Sequence, residues 1–203
     1  MDVVSLYACH AANSFGKFTR VTNDKRAYAS LLRNTFEYVK ETVPTTLRVA
    51  EFNPEHPLSE MLREAASEEE GHEAIIEGDL KSLGFEMEDF EVSPFISHFT
   101  SLQMSNHASD YPVENLLGRM LILEGMHPNE MAIRKLSEHF RVKEDAAKAF
   151  YLHCELDQQH GDLAKSMAAS EHVDNDKVIL SSIKTCQIFS RHWEWMTRKW
   201  STL

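Results

Sequence analysis

The chain has 203 residues, 32 acidic against 21 basic, and a net charge of −11. Such a surface repels phosphate backbones and argues against nucleic acid as a partner. No apolar run approaches membrane-spanning length, and three cysteines without a CxxC pair point away from a disulfide framework and toward a reducing cytoplasm.

In chain order, the first residues lack the basic and apolar regions of a signal peptide. Residues 1–22 carry little periodic signal and read as an extended or partly helical lead-in. Asp24 caps a predicted helix to about Thr42, with Ala27, Leu31, Leu32, Phe36 and Val39 at helical spacing. Pro44, Pro54 and Pro57 break up the next stretch. A long helix is predicted from about Leu58 to Leu83, stopping at Gly84. Ser93-Pro94 opens a helix to about Ala108, and Tyr111-Pro112 opens one ending near His127-Pro128. Further helices are predicted from Asn129 to about Phe140, over 143–170, and from Asp174 to about Trp200. Only seven glycines and six prolines are present, which favours long helices over strands and turns. The expectation is an all-α bundle of about seven helices, forming one domain over residues 1–203.

Histidine is the compositional outlier, with eleven copies. In the 143–170 helix, His153, Asp157 and His160 stand at i, i+4 and i+7 and therefore share a face. Ala146, Ala149, Phe150, Ala164 and Met167 lie on that same face. Three ionisable groups thus interrupt an apolar stripe, and buried ionisable groups are costly unless paired or metal-bound. Hydrogen bonding among themselves in the core is the alternative. In the 58–83 helix, Glu69 and His72 form an E-x-x-H pair, with Glu68 as the alternative to Glu69, on a face that also holds Met61, Ala65, Ile76 and Asp79. In the 112–127 helix, Glu124 shares a face with Val113, Leu117, Met120 and Leu121. An unpaired carboxylate there would take up a proton, so it calls for a partner. Three helices therefore turn carboxylates and histidines toward one interior. That set exceeds the needs of a structural zinc and contains no thiolate. It suits a dinuclear, carboxylate-bridged site, iron first and manganese as the metal the same ligands also suit.

The segments Glu-Glu-Glu-Gly-His72, Asp79-Leu-Lys-Ser-Leu-Gly84, Leu117-Gly-Arg-Met-Leu-Ile-Leu-Glu124-Gly and Phe150-Tyr-Leu-His-Cys-Glu-Leu-Asp-Gln-Gln-His160 resemble the haem-oxygenase-like di-iron oxidases, also grouped as iron-containing redox enzymes. The H-x3-D-x2-H element is the most specific of them. The resemblance implies a haem-oxygenase-like bundle in which Glu69, His72, Glu124, His153, Asp157 and His160 hold two iron ions. It implies an oxidoreductase that uses O2 on a small organic molecule. The chain departs from the pattern where some members carry a further ligand, seven residues before the first histidine, which here is Ala65. Glu37 is a candidate for an additional carboxylate from an earlier helix.

Three rival readings stand beside this one. A hydrolase on the same fold, resembling the thiamine-degrading TenA-type enzymes, would use a cysteine nucleophile, for which Cys154 is the candidate. A haem enzyme would need an early proximal histidine, for which only His10 offers. A non-catalytic metal-binding or interaction protein would expose Phe189, Trp193, Trp195 and Trp200 to a partner. The commoner use of such aromatics is to pack a helix onto a core. Dimerisation through the last helix is left open.

Overall fold

The computed structural model describes residues 3–124 and 129–201, with side chains described for all of these except residues 3 and 155–159. Among the described residues there are ten α-helices, three short 3-10 helices and no strand. They are α1 (Val3–Val21), α2 (Lys25–Val39), α3 (Thr42–Phe52), α4 (Ser59–Glu68), α5 (His72–Ser82), α6 (Pro94–Met104), α7 (Pro112–Leu123), α8 (Glu130–Phe140), α9 (Lys148–Ala168) and α10 (Asn175–Trp200).

Most helix starts follow from local chemistry. The side chains of Asp24, Ser93, Asn129 and Asp174 each accept a backbone N–H from the first turn of the helix they precede, satisfying donors that have no intrahelical acceptor. Pro94 and Pro112 occupy first-turn positions where a missing N–H costs nothing.

Three expectations are corrected. Residues 1–22 are not a lead-in but mostly the helix α1, which packs along α10. Its buried face is Ala11, Ser14 and Phe18, a helical spacing muted by two small residues. Pro44 does not break the chain: it lies in the first turn of α3, where proline is tolerated. The long helix expected over 58–83 is two helices. α4 ends at Glu68, and Gly71 takes φ 88° before α5 begins at His72. Only glycine visits that left-handed region freely. The break turns Glu69 and His72 out of a single ridge.

Two apolar clusters flank the middle of the bundle. One contains Phe18, Tyr28, Leu32, Ile76, Leu80, Phe140 and Ala149; the other contains Val49, Leu62, Leu116, Leu117 and Met167. Along α4 and α5 the chain passes from Leu62 in one cluster to Ile76 in the other. Along α9 it passes from Ala149 back to Met167. Residues 69–72 and 153–160 fall midway on both paths, so the polar side chains meet between two dry cores. Asp79 sets the relative height of α5 and α9: its Oδ2 accepts the Ala149 N–H at 2.8 Å. Burial pushes this carboxyl up to about 6, although the Ala149 and Lys148 amides oppose the shift. α7 lies hard against α10. A Cβ on Gly118 would stand 2.5 Å from Ser181 Cβ and 2.6 Å from the Val178 carbonyl, so the crossing requires a residue without a side chain.

Candidate metal centre

Five of the six expected ligands come together among the described residues. Glu69, His72 and His153 offer ligand atoms all within 4.8 Å of one another, and so do Glu69, Glu124 and His160. Glu69 belongs to both groups. Its Oε2 lies 2.9 Å from His72 Nδ1 and its Oε1 lies 2.9 Å from His160 Nδ1. The His153 ring stands edge-on to that of His72, with centroids 5.0 Å apart. Glu124 is the C-cap residue of α7, and its Oε2 is 3.8 Å from His160 Nδ1. The Asp157 side chain and His127 lie outside the described residues.

Glu68 is not interchangeable with Glu69. It is half-exposed and faces the other ring nitrogen of His160, Nε2, at 3.1 Å. Glu37 is not part of the centre: it pairs with Arg33 at 2.7 Å and with Lys40 at 2.9 Å on α2. Ala65 lines a cavity beside Glu69, so the position of the family's further ligand is a small apolar wall here.

Electrostatics at the centre are set by the carboxylates. Burial works against charge on Glu69, yet His160, His72 and His153 outweigh it and hold the carboxyl at about 2. Glu124 and Glu69 push His160 up to about 10, against the opposing effect of burial. A ligand imidazole must be neutral, so an ion and a proton compete for the same nitrogen.

The donor set fits a transition metal. Glu69 Oε1 is buried and has no aligned hydrogen-bond donor among the described residues, despite its approach to His160. An acceptor of that kind is costly to bury and is what a bound cation would satisfy. Imidazole nitrogens with carboxylate oxygens suit iron and manganese. Glu68 beyond His160 supplies the outer carboxylate that commonly orients a ligand histidine.

Two cavities meet at this centre. A large one of about 790 Å³ is walled by apolar side chains such as Leu32, Ile76, Phe150 and Phe189, and reaches Glu69, Glu124 and His153. A small one of about 30 Å³ touches Glu69, Glu124 and His160 from the other side. None of the three cysteines lines either cavity. Cys9 is exposed, and burial pushes the Cys186 thiol up to about 11, the opposite of an activated nucleophile. His10 is exposed and lines neither cavity. Phe189 and Trp200 are buried, and Trp193 stacks on Phe18 and meets Phe15 edge-on. The C-terminal aromatics thus pack α10 onto the bundle.

The fold and this site define an all-helical protein with a histidine–carboxylate centre. The profile of the iron-containing redox enzyme family matches residues 29–188, and the chain belongs to that family. Among curated proteins none matches it significantly in sequence. Among the solved structures that match it are two that share its fold. One is a domain of unknown function with a haem oxygenase-like fold from Shewanella denitrificans OS217, 19% identical, with a TM-score of 0.78 over 98% of this chain and 93% of that one. The other is a TenA homologue protein from P. horikoshii OT3, 14% identical, with a TM-score of 0.66 over 98% of this chain and 99% of that one. The architecture is therefore haem-oxygenase-like. Among the described residues no helix is long and apolar enough to cross a membrane.

Proposed function

We propose that this protein is a non-haem oxidase or oxygenase that uses O2 and a pair of iron ions to oxidise a small organic molecule. The observation that carries the reading is the sharing of Glu69 between two groups of donors. A carboxylate with an oxygen toward each group could serve two metal ions at once. Iron, when bound, would supply the electrons that reduce O2. His72 and His153 would hold one ion and Glu124 and His160 the other, with Glu69 between them. Glu68 orients the His160 ring through Nε2. The apolar wall of the larger cavity excludes water from the centre and receives the body of the substrate; its volume falls within the range of small-molecule sites.

A second reading is a TenA-type hydrolase, to which the likeness to the P. horikoshii protein lends support. That likeness bears on the fold alone. The cysteines oppose it, since none lines either of the two cavities at the centre. Substituting Cys154 by Ser would abolish turnover in a thiol hydrolase and leave an oxidase nearly intact.

The test of the main reading is anaerobic loading with ferrous iron, metal counting, and exposure to O2 with optical and Mössbauer detection. Two irons per chain and an oxygen-dependent spectral change are the expected result. Fewer than one iron per chain, or no response to O2, would overturn it.

A further inference from the structure

The small cavity beside the metal centre is lined by three buried polar groups that have no hydrogen-bond partner among the described residues. They are Arg119 Nη1, Thr45 Oγ1 and Gln103 Oε1. These residues are only 8%, 2% and 5% exposed. They come from three different helices, α7, α3 and α6.

Arg119 is anchored on one edge and one face. Its Nη2 donates to the Leu102 carbonyl at 3.2 Å and to Asn106 Oδ1 at 3.1 Å, and the guanidinium lies 5.9 Å from the Phe99 ring centroid. These contacts hold the plane still and leave Nη1 without an acceptor. All the acceptors are neutral. A buried guanidinium without a counter-charge is expensive, and a water molecule would satisfy the hydrogen bond but not the charge. A planar oxyanion would satisfy both.

Size limits what fits. About 30 Å³ is roughly two to three times the space a cavity needs to admit one water, room for an anionic head and not for a whole metabolite. The rest of the molecule must lie elsewhere, and Thr42, Glu69, Leu123 and Glu124 line both this cavity and the larger apolar one. Away from the Glu69 and Glu124 carboxylates, the larger cavity also carries two exposed basic side chains, Arg20 and Lys135.

We infer that Arg119, with Thr45 and Gln103, forms a carboxylate-binding subsite, and that the substrate is a carboxylic acid whose apolar body passes the Glu69–Glu124 edge into the larger cavity. Thr45 donates its hydroxyl to one oxygen, and the Gln103 amide turns to present its NH₂ to the other. The assignment of the substrate rests on the oxidase reading; the subsite itself does not.

The test uses the full chain, metal-free, titrated with acetate and with acetamide as the neutral isostere. Binding is followed by nitrogen-15 NMR of the arginine side chains and by thermal shift. Acetate is expected to move one arginine signal saturably, and acetamide to leave it in place. Arg119→Gln should weaken acetate by at least about tenfold, the loss of a charge-assisted contact. Thr45→Val leaves the structural bonds of Arg119 intact, so it stays informative if Arg119→Gln misfolds; it should weaken acetate several-fold. Equal response to acetate and acetamide, or wild-type acetate affinity in folded Thr45→Val, would overturn the subsite. Iron counted in separately loaded samples distinguishes the two readings. Acetate binding through Arg119 in a chain that holds no iron sinks the oxidase and leaves the subsite. Two irons per chain with no acetate binding sinks the subsite alone.

Discussion

His160 and His192 are both buried, at 6% and 2% exposure, yet the protein drives them in opposite directions. His160 on α9 meets Glu69, Glu68 and Glu124, and Glu124 and Glu69 push it up to about 10. His192 on α10 lies among Phe189, Trp193 and Trp195, its Nδ1 without a hydrogen-bond partner among the described residues, and burial pushes it down to about 3. Burial alone expels charge; burial beside carboxylates retains it. The first region has the electrostatics of a site made to hold a cation. The second is a structural core that tolerates only the neutral ring.

The sharpest way to break this comparison is to remove Glu69. Glu69→Ala is expected to lose nearly all bound metal, because both donor groups share that carboxylate. His192→Ala should keep wild-type metal content and lose stability instead. Metal analysis beside thermal melts checks both; equal metal content in the two variants would erase the distinction. Gly118 lies where α7, which carries Glu124, crosses α10, which carries His192. Gly118→Ala should cost about 1–3 kcal/mol through the clash with Ser181 and the Val178 carbonyl, read by chemical denaturation. An unchanged midpoint would show that the crossing has slack.

The pH dependence separates the two histidines by sign. His192 has a depressed pKa in the fold, so its contribution to stability is present above about 6.5 and is lost as pH falls toward 3. The slope is about 1.4 kcal/mol per pH unit for one proton. His192→Gln should flatten that acid limb in urea titrations between pH 6 and 4. His160 in the metal-free chain has a raised pKa. Its contribution is present below about 6.5 and is lost as pH rises through 10. The smallest effect concerns the joint between α5 and α9. Asp79→Asn keeps an acceptor for the Ala149 N–H and Asp79→Ala does not, so at pH 7.5 the Asn variant should be the more stable by about 1 kcal/mol. Equal stabilities would mean that the bond does not hold the helices in register.

Much of the site was legible because helical periodicity is a local property. The faces of His153 and His160, of His72, and of Glu124 follow from spacing alone. What spacing could not convey was the break at Gly71, which depends on one residue entering the left-handed region. Nor could it convey α1, whose buried face hides behind Ala11 and Ser14. Glu37 had the right chemistry and the wrong partners, Arg33 and Lys40. Arg119 gave no signal in sequence, since a lone arginine on a helix reads as a solvated residue until its burial is known.

By itself the sequence determined the all-α class, the caps at Asp24, Ser93, Asn129 and Asp174, and the residue types that meet in the middle of the bundle. These are consequences of hydrogen bonding and periodicity within a few turns. Only the tertiary structure decided that Glu69 stands between two donor groups while Glu68 faces outward. It alone made His160 and His192 opposites and left Arg119 buried beside the centre with no counter-charge paired to it among the described residues. The reason is that charge state and ligand sharing depend on which helices converge at a point, and no run of residues along one helix carries that information.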